Sequence, residues 1–126
     1  MKKLSLFTLF CFIMSIFACK KDNLKPVVSI ATPTTSQSVK SNTVLNMTGT
    51  VSDDSGLHEM SISIVQASDG KELFKISPNI LNKKTYSFGE TWTPTVAADT
   101  KVVLTVKAMD HSDLLDSKSV EFTITK

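Results

Sequence analysis

Leu45-Asn46-Met47-Thr48-Gly49-Thr50-Val51-Ser52 runs into Asp53-Asp54-Ser55-Gly56 and then into Leu57-His58-Glu59-Met60-Ser61-Ile62-Ser63-Ile64. Leu45, Met47, Gly49 and Val51 fall on one face at a period of two, as do Met60, Ile62 and Ile64, while Asn, Thr, Ser and Glu occupy the opposite positions. Successive side chains of a strand point to opposite sides of a sheet, so this alternation predicts half-buried strands. The four residues between them are turn formers: short Asp and Ser side chains bond to nearby backbone, and Gly tolerates a positive φ. Two antiparallel strands, each with one face in a core and one in water, are the expected product.

Working outward, the same pattern predicts strands at residues 27–32, 44–52, 57–66, 72–77, 85–92, 102–109 and 119–125. Val102, Leu104, Val106 and Ala108 share a face, and so do Val120, Phe122 and Ile124. Asp69-Gly70, Pro78-Asn79, Pro94 with Asp99, and residues 110–116 punctuate the runs. Helical spacing is not sustained after Cys19. The prediction is an all-β fold, a two-sheet antiparallel sandwich of about seven strands.

Residues 50–57 followed by Met60-Ser61-Ile62-Ser63-Ile64, and Val106-Lys107-Ala108-Met109-Asp110 followed by residues 119–124, resemble bacterial immunoglobulin-like domains. The resemblance spans residues 26–126. It makes the first segment strand B, the BC turn and strand C, and the second strand F, the FG loop and strand G. His111-Ser112-Asp113 stands where such domains often carry Gly-Asn.

The chain has 126 residues, with 14 Lys, no Arg and 12 acidic residues, a size that suits one domain. Both cysteines, Cys11 and Cys19, lie in the opening segment. The body therefore has no thiol for a disulfide, a zinc cluster or a cysteine nucleophile. Met1, Lys2 and Lys3 precede an apolar run over residues 4–18, and charge resumes at Lys20. Such a run reads as a secretory signal, and at 1.5 Å per residue it is shorter than the roughly 30 Å hydrocarbon core.

Ile16, Phe17, Ala18 and Cys19 resemble the bacterial lipobox. That resemblance implies a lipoprotein signal peptide at residues 1–18, a lipidated Cys19 with a polar tether over residues 19–25, and a body over residues 26–126. Lys20, Lys21 and Asp22 look like the charged export signal of surface lipoproteins in the Bacteroidota, and this opening joined to the body at residues 26–126 resembles small lipoproteins of unknown function from that group. The expected place is the cell envelope, at the outer membrane and facing either the periplasm or the cell surface. Cleavage before Cys19 removes Lys2 and Lys3 and leaves Lys and acidic residues in equal number. Without a basic surplus or any Arg, nucleic-acid binding has little to stand on.

If successive strands alternate direction, Pro26, the turn at 53–56, the connection before residue 85 and the loop at 110–116 share one end of the sandwich. Asp53, Asp54, His58, Asp110, His111, Asp113 and Asp116 then converge. Asp53, Asp54, Asp110, Asp113 and Asp116 are candidate Ca²⁺ ligands, since that ion takes oxygens from several loops, and the two His add a candidate transition-metal site. The alternative is that Asp53 and Asp110 bond their own turns while the others are solvated. A short tether would also turn this end toward the membrane.

Trp92, in phase with Tyr86 and Phe88, is either a stacking platform for a sugar ring or one strand's core face. Leu114 and Leu115 either touch a partner or lipid, or fold back over the open end of the sandwich. Asp110-His111-Ser112 has the residue types of a hydrolytic triad, but adjacent side chains diverge. No Gly-x-Ser-x-Gly, His-Glu-x-x-His or phosphate loop is present, and no catalytic residue is assigned.

The sequence thus leads to a noncatalytic, lipid-anchored envelope protein that binds or assembles with an extracytoplasmic protein or glycan. A calcium-dependent or carbohydrate-binding module is the alternative.

Overall fold

The computed structural model describes residues 23–126. The signal peptide, Cys19 and the first part of the tether lie outside the described residues. Eight strands form the body: β1 (Val27–Thr32), β2 (Ser38–Lys40), β3 (Leu45–Ser52), β4 (Leu57–Gln66), β5 (Glu72–Ile76), β6 (Thr85–Trp92), β7 (Thr100–Asp110) and β8 (Leu115–Thr125). They make a three-stranded sheet in the order β1-β3-β6 and a five-stranded sheet in the order β2-β8-β7-β4-β5. Every pairing is antiparallel except that of β2 with β8, which is parallel. This is the all-β two-sheet sandwich that the alternation predicts.

The inward faces interleave in one core. Leu45, Met47 and Val51 of β3 and Phe88 of β6 meet Met60, Ile62, Ile64, Val102, Leu104, Val106, Phe122 and Ile124 of the larger sheet, all buried. Each such side chain contributes about 1.5 to 3 kcal/mol relative to exposure, which a body without disulfides requires. Val120, in phase with Phe122, is only half-buried.

Gly49 sits on this face for a steric reason. A Cβ there would run into the Ser29 carbonyl oxygen of β1 and the Phe88 ring of β6. The Phe88 side chain lies over the glycine and closes the face that a larger residue would otherwise fill.

β1, β4 and β6 keep the expected limits, β3 starts one residue later, β5 ends one residue earlier, β7 gains residues at both ends, and two larger departures stand out. The first departure is β2, an eighth strand: Ser38-Val39-Lys40 offers a single apolar residue, Val39, and is held by backbone pairing to β8. The second is β8, which starts at Leu115 instead of residue 119, because continuous pairing with β7 carries it through the polar Asp116, Ser117 and Lys118. The turn between β7 and β8 is consequently short. Asp113 takes the positive φ, 62°, that a Gly commonly supplies, and Asp110 N–H donates to the Leu114 carbonyl at 3.1 Å.

Register fixes the ends of the sandwich. Val27 pairs with Ser52, Ser52 with Thr85, Leu57 with Asp110, and Met109 with Leu115. The first residues of β1, the turn at 53–56, the connection at 77–84 and the turn at 111–114 therefore lie together at one end, called here the loop end.

Candidate functional site

The loop end is built from the turns outward. Asp53 directly follows β3, and its Oδ1 accepts the backbone N–H groups of Ser55 at 3.0 Å and Gly56 at 2.8 Å and the Ser55 hydroxyl at 2.7 Å. Gly56 follows at φ 119°, which turns the chain into β4. Asp110 ends β7 in the same manner: its Oδ1 accepts the N–H groups of Ser112 at 2.7 Å and Leu114 at 2.9 Å. Both aspartates are buried. Each carboxylate organises its own turn, the arrangement that short acidic side chains favour at strand ends. The second oxygens, Asp53 Oδ2 and Asp110 Oδ2, are buried with no hydrogen-bond partner among the described residues.

The other acidic candidates lie at the same end. Asp116, at the second position of β8, pairs with Lys25 at 2.9 Å and accepts the Val28 N–H at 3.3 Å. The Lys25 hydrogen bond holds its carboxyl below the usual carboxylate range, against the opposing effect of burial. Asp54 and Asp113 are exposed. Among the described residues no group of three or more His, Cys, Asp or Glu is disposed to hold a metal ion.

The two histidines do meet. The His58 and His111 rings are 5.2 Å apart between centroids and tilted by 36°. His111 Nε2 lies 2.8 Å from Asn82 Oδ1, an oxygen that only accepts, so Nε2 carries the proton. Asn82 is a partner that the sequence reading missed. Its φ of 63° is the available signal, since Asn tolerates the left-handed region, and its N–H donates to the Leu57 carbonyl beside His58. An open cavity of about 300 Å³ lies here, with His58, Glu59, Met60, Asn79, Ile80 and Leu115 among its lining residues.

Trp92 is far from this end, at the opposite limit of β6 where it pairs with Leu45. Its half-buried ring packs on the core and lies 6.0 Å from the Phe74 ring, between centroids. Tyr86 is half-buried and Phe88 buried on the same face. Leu114 is half-buried in the turn, whereas Leu115 is exposed as the first residue of β8.

An immunoglobulin-like sandwich is the class that this strand order and core define. The fibronectin(III)-like modules of CbhA from Clostridium thermocellum are similar to it, with a TM-score of 0.50 and 20% identity over 81% of this chain and 47% of that one. This chain therefore spans about half the length of that structure. A CARDB domain from Pyrococcus furiosus in complex with di-metal ions is also similar, at a TM-score of 0.44 and 14% identity, covering 80% of this chain and 94% of that one. No family model matches the chain, and no curated protein does. The likeness to the CbhA modules, at 20% identity, shows the immunoglobulin-like fold and nothing beyond it.

Proposed function

We propose that the protein is a noncatalytic, lipid-anchored component of the bacterial cell envelope, and that its immunoglobulin-like body acts by contact with an extracytoplasmic partner. The observation that carries this reading is Cys19 at the junction where the apolar run of residues 4–18 gives way to Lys20, Lys21 and Asp22, a few residues before β1. A thioether-linked diacylglyceryl group and an acylated amine on Cys19 together provide the two or more chains that stable anchoring needs.

A contact role is supported by β6. It is eight residues long and, among the described residues, pairs only with β3. An edge strand presents a row of unpaired backbone N–H and C=O groups to which a partner's strand can add. Mass spectrometry of the protein extracted from membranes tests the anchor. The expected species begins at an acylated Cys19, and Cys19→Ala leaves the chain uncleaved and unacylated. A wild-type chain that is soluble, unacylated and still carries residues 1–18 overturns the reading.

A further inference from the structure

We propose that the loop end docks directly on the lipid surface, with Val27, Leu81 and Leu115 entering the boundary between headgroups and acyl chains. This rests on the lipid-anchor reading of Cys19. Five large hydrophobic side chains are exposed among the described residues: Leu24 (63%), Val27 (64%), Val44 (61%), Leu81 (50%) and Leu115 (52%). Four of the five are at the loop end. Val44, just before β3, is at the other end.

The four rim this end: Val27, next to the buried Val28, faces out from the smaller sheet, and Leu115, next to Asp116 in its pairing with the buried Ala108, faces out from the larger one. Asp116 joins Lys25 and Val28 to the start of β8, and so ties the segment that carries Leu24 and Val27 to the strand that carries Leu115. The bond between Asn82 and His111 ties the segment that carries Leu81 to the turn before Leu115. Leu115 and Ile80 line the same cavity. Single exposed apolar residues need no explanation, but a clustered set on one end of a small domain marks a surface that meets something apolar.

The position of the chain says what covers it. Cys19 precedes Leu24 by five residues, a reach of about 18 Å even when fully extended. Acyl chains on Cys19 thus keep this end, where the tether joins β1, close to the bilayer. Lys83 and Lys84 follow Leu81 on the same connection; the Lys83 ammonium lies 4.7 Å from the centre of the Tyr86 ring, and Lys84 lines a cavity with Leu24 and Val27. Lysines beside apolar residues suit an interface, because the stem stays in apolar surroundings while the head reaches phosphate. Asp54 and Asp113 are exposed at the same end, so the contact is driven by apolar burial and not by attraction to anionic lipid.

The absence of cysteine from the body permits a direct test. Acylated full-length protein carrying Leu81→Cys, Leu115→Cys or Val44→Cys is labelled with an environment-sensitive fluorophore and reconstituted into phosphatidylcholine vesicles containing nitroxide-labelled lipid. Probes at 81 and 115 are expected to shift to the blue and to be quenched several-fold more than the probe at 44. Adding anionic lipid leaves the pattern unchanged. If the protein is acylated and floats with the vesicles but the three probes quench alike, docking is wrong and the anchor stands. Probes that respond to protein density and not to the quencher overturn docking in favour of a second copy on this face. If mass spectrometry of the same preparation finds Cys19 unmodified and the protein does not float, anchor and docking fall together.

Discussion

Lys25 Nζ stands 2.9 Å from Asp116 Oδ1, and the other oxygen of the same carboxylate accepts the Val28 backbone N–H at 3.3 Å. One side chain at the start of the last strand therefore clasps the start of the first, where the body meets its tether. Nothing in the local sequence around either residue announces the pair, which is 91 positions apart.

The clasp gives a pH dependence with a definite sign. Hydrogen bonding from Lys25 lowers the folded-state pKa of Asp116 below its ordinary value of 3.8. A depressed carboxylate pKa adds stability that is fully present above the unfolded value and is lost as pH falls through the folded one. The side chains of Lys25 and Asp116 are 65% and 22% exposed, so solvent screening limits the effect to about 0.5 to 1 kcal/mol. Asp116→Asn is expected to lower stability by that amount in urea unfolding at pH 7 and by much less at pH 2. An equal loss at both pH values would show that the ion pair is not the cause.

Gly49→Ala is expected to destabilise by about 3 kcal/mol or more, because the added methyl meets β1 backbone on one side and the Phe88 ring on the other. Gly89→Ala is the control. A Cβ at Gly89 has no atom within 4 Å, and its substitution should stay within about 0.5 kcal/mol. Comparable midpoints for the two variants in thermal unfolding would contradict the packing described here.

Asp110→Ala removes the buried acceptor of two part-buried turn N–H groups and should cost about 2 kcal/mol, with Asp53→Ala close behind. Asn retains the accepting oxygen at either position and is expected to be milder than Ala. The turn bonds already employ Oδ1 of both residues, so the melting temperature of the wild type should be the same in calcium and in chelator. A calcium-dependent rise that disappears in Asp110→Asn would instead assign the buried Oδ2 atoms to a cation.

Phe74 and Trp92 bring β5 and β6, the outer strands of the two sheets, into ring contact at 6.0 Å. A double-mutant cycle with Phe74→Leu and Trp92→Leu should return a coupling of about 0.5 to 1.5 kcal/mol. Additive losses would mean that each ring packs on the core independently. Saturable change in Trp92 emission with a glycan would place a ligand on the ring.

Much of the fold is legible in the sequence. β1, β4 and β6 carry the expected limits, and the inward residues of β3, β4 and β7 are those in apolar phase. The turn roles of Asp53 and Asp110 are legible too, since a short carboxylate followed by small residues bonds its own backbone. The meeting of His58 with His111, and the partnership of His111 with Asn82, depend on which strand ends are neighbours. Only their convergence at one end follows from counting strand directions.

Alternation at a period of two is a property of the strand backbone itself, so the sequence alone determined that the body is all-β, which faces are apolar and where the main turns fall. Pairing partners and register are not local properties. The three-residue β2, the early start of β8 and the Lys25–Asp116 clasp arise from hydrogen bonds and contacts to residues remote in the chain. Tertiary structure decided them, because a polar segment without a periodic signal becomes a strand only when a neighbouring strand supplies the other half of its ladder.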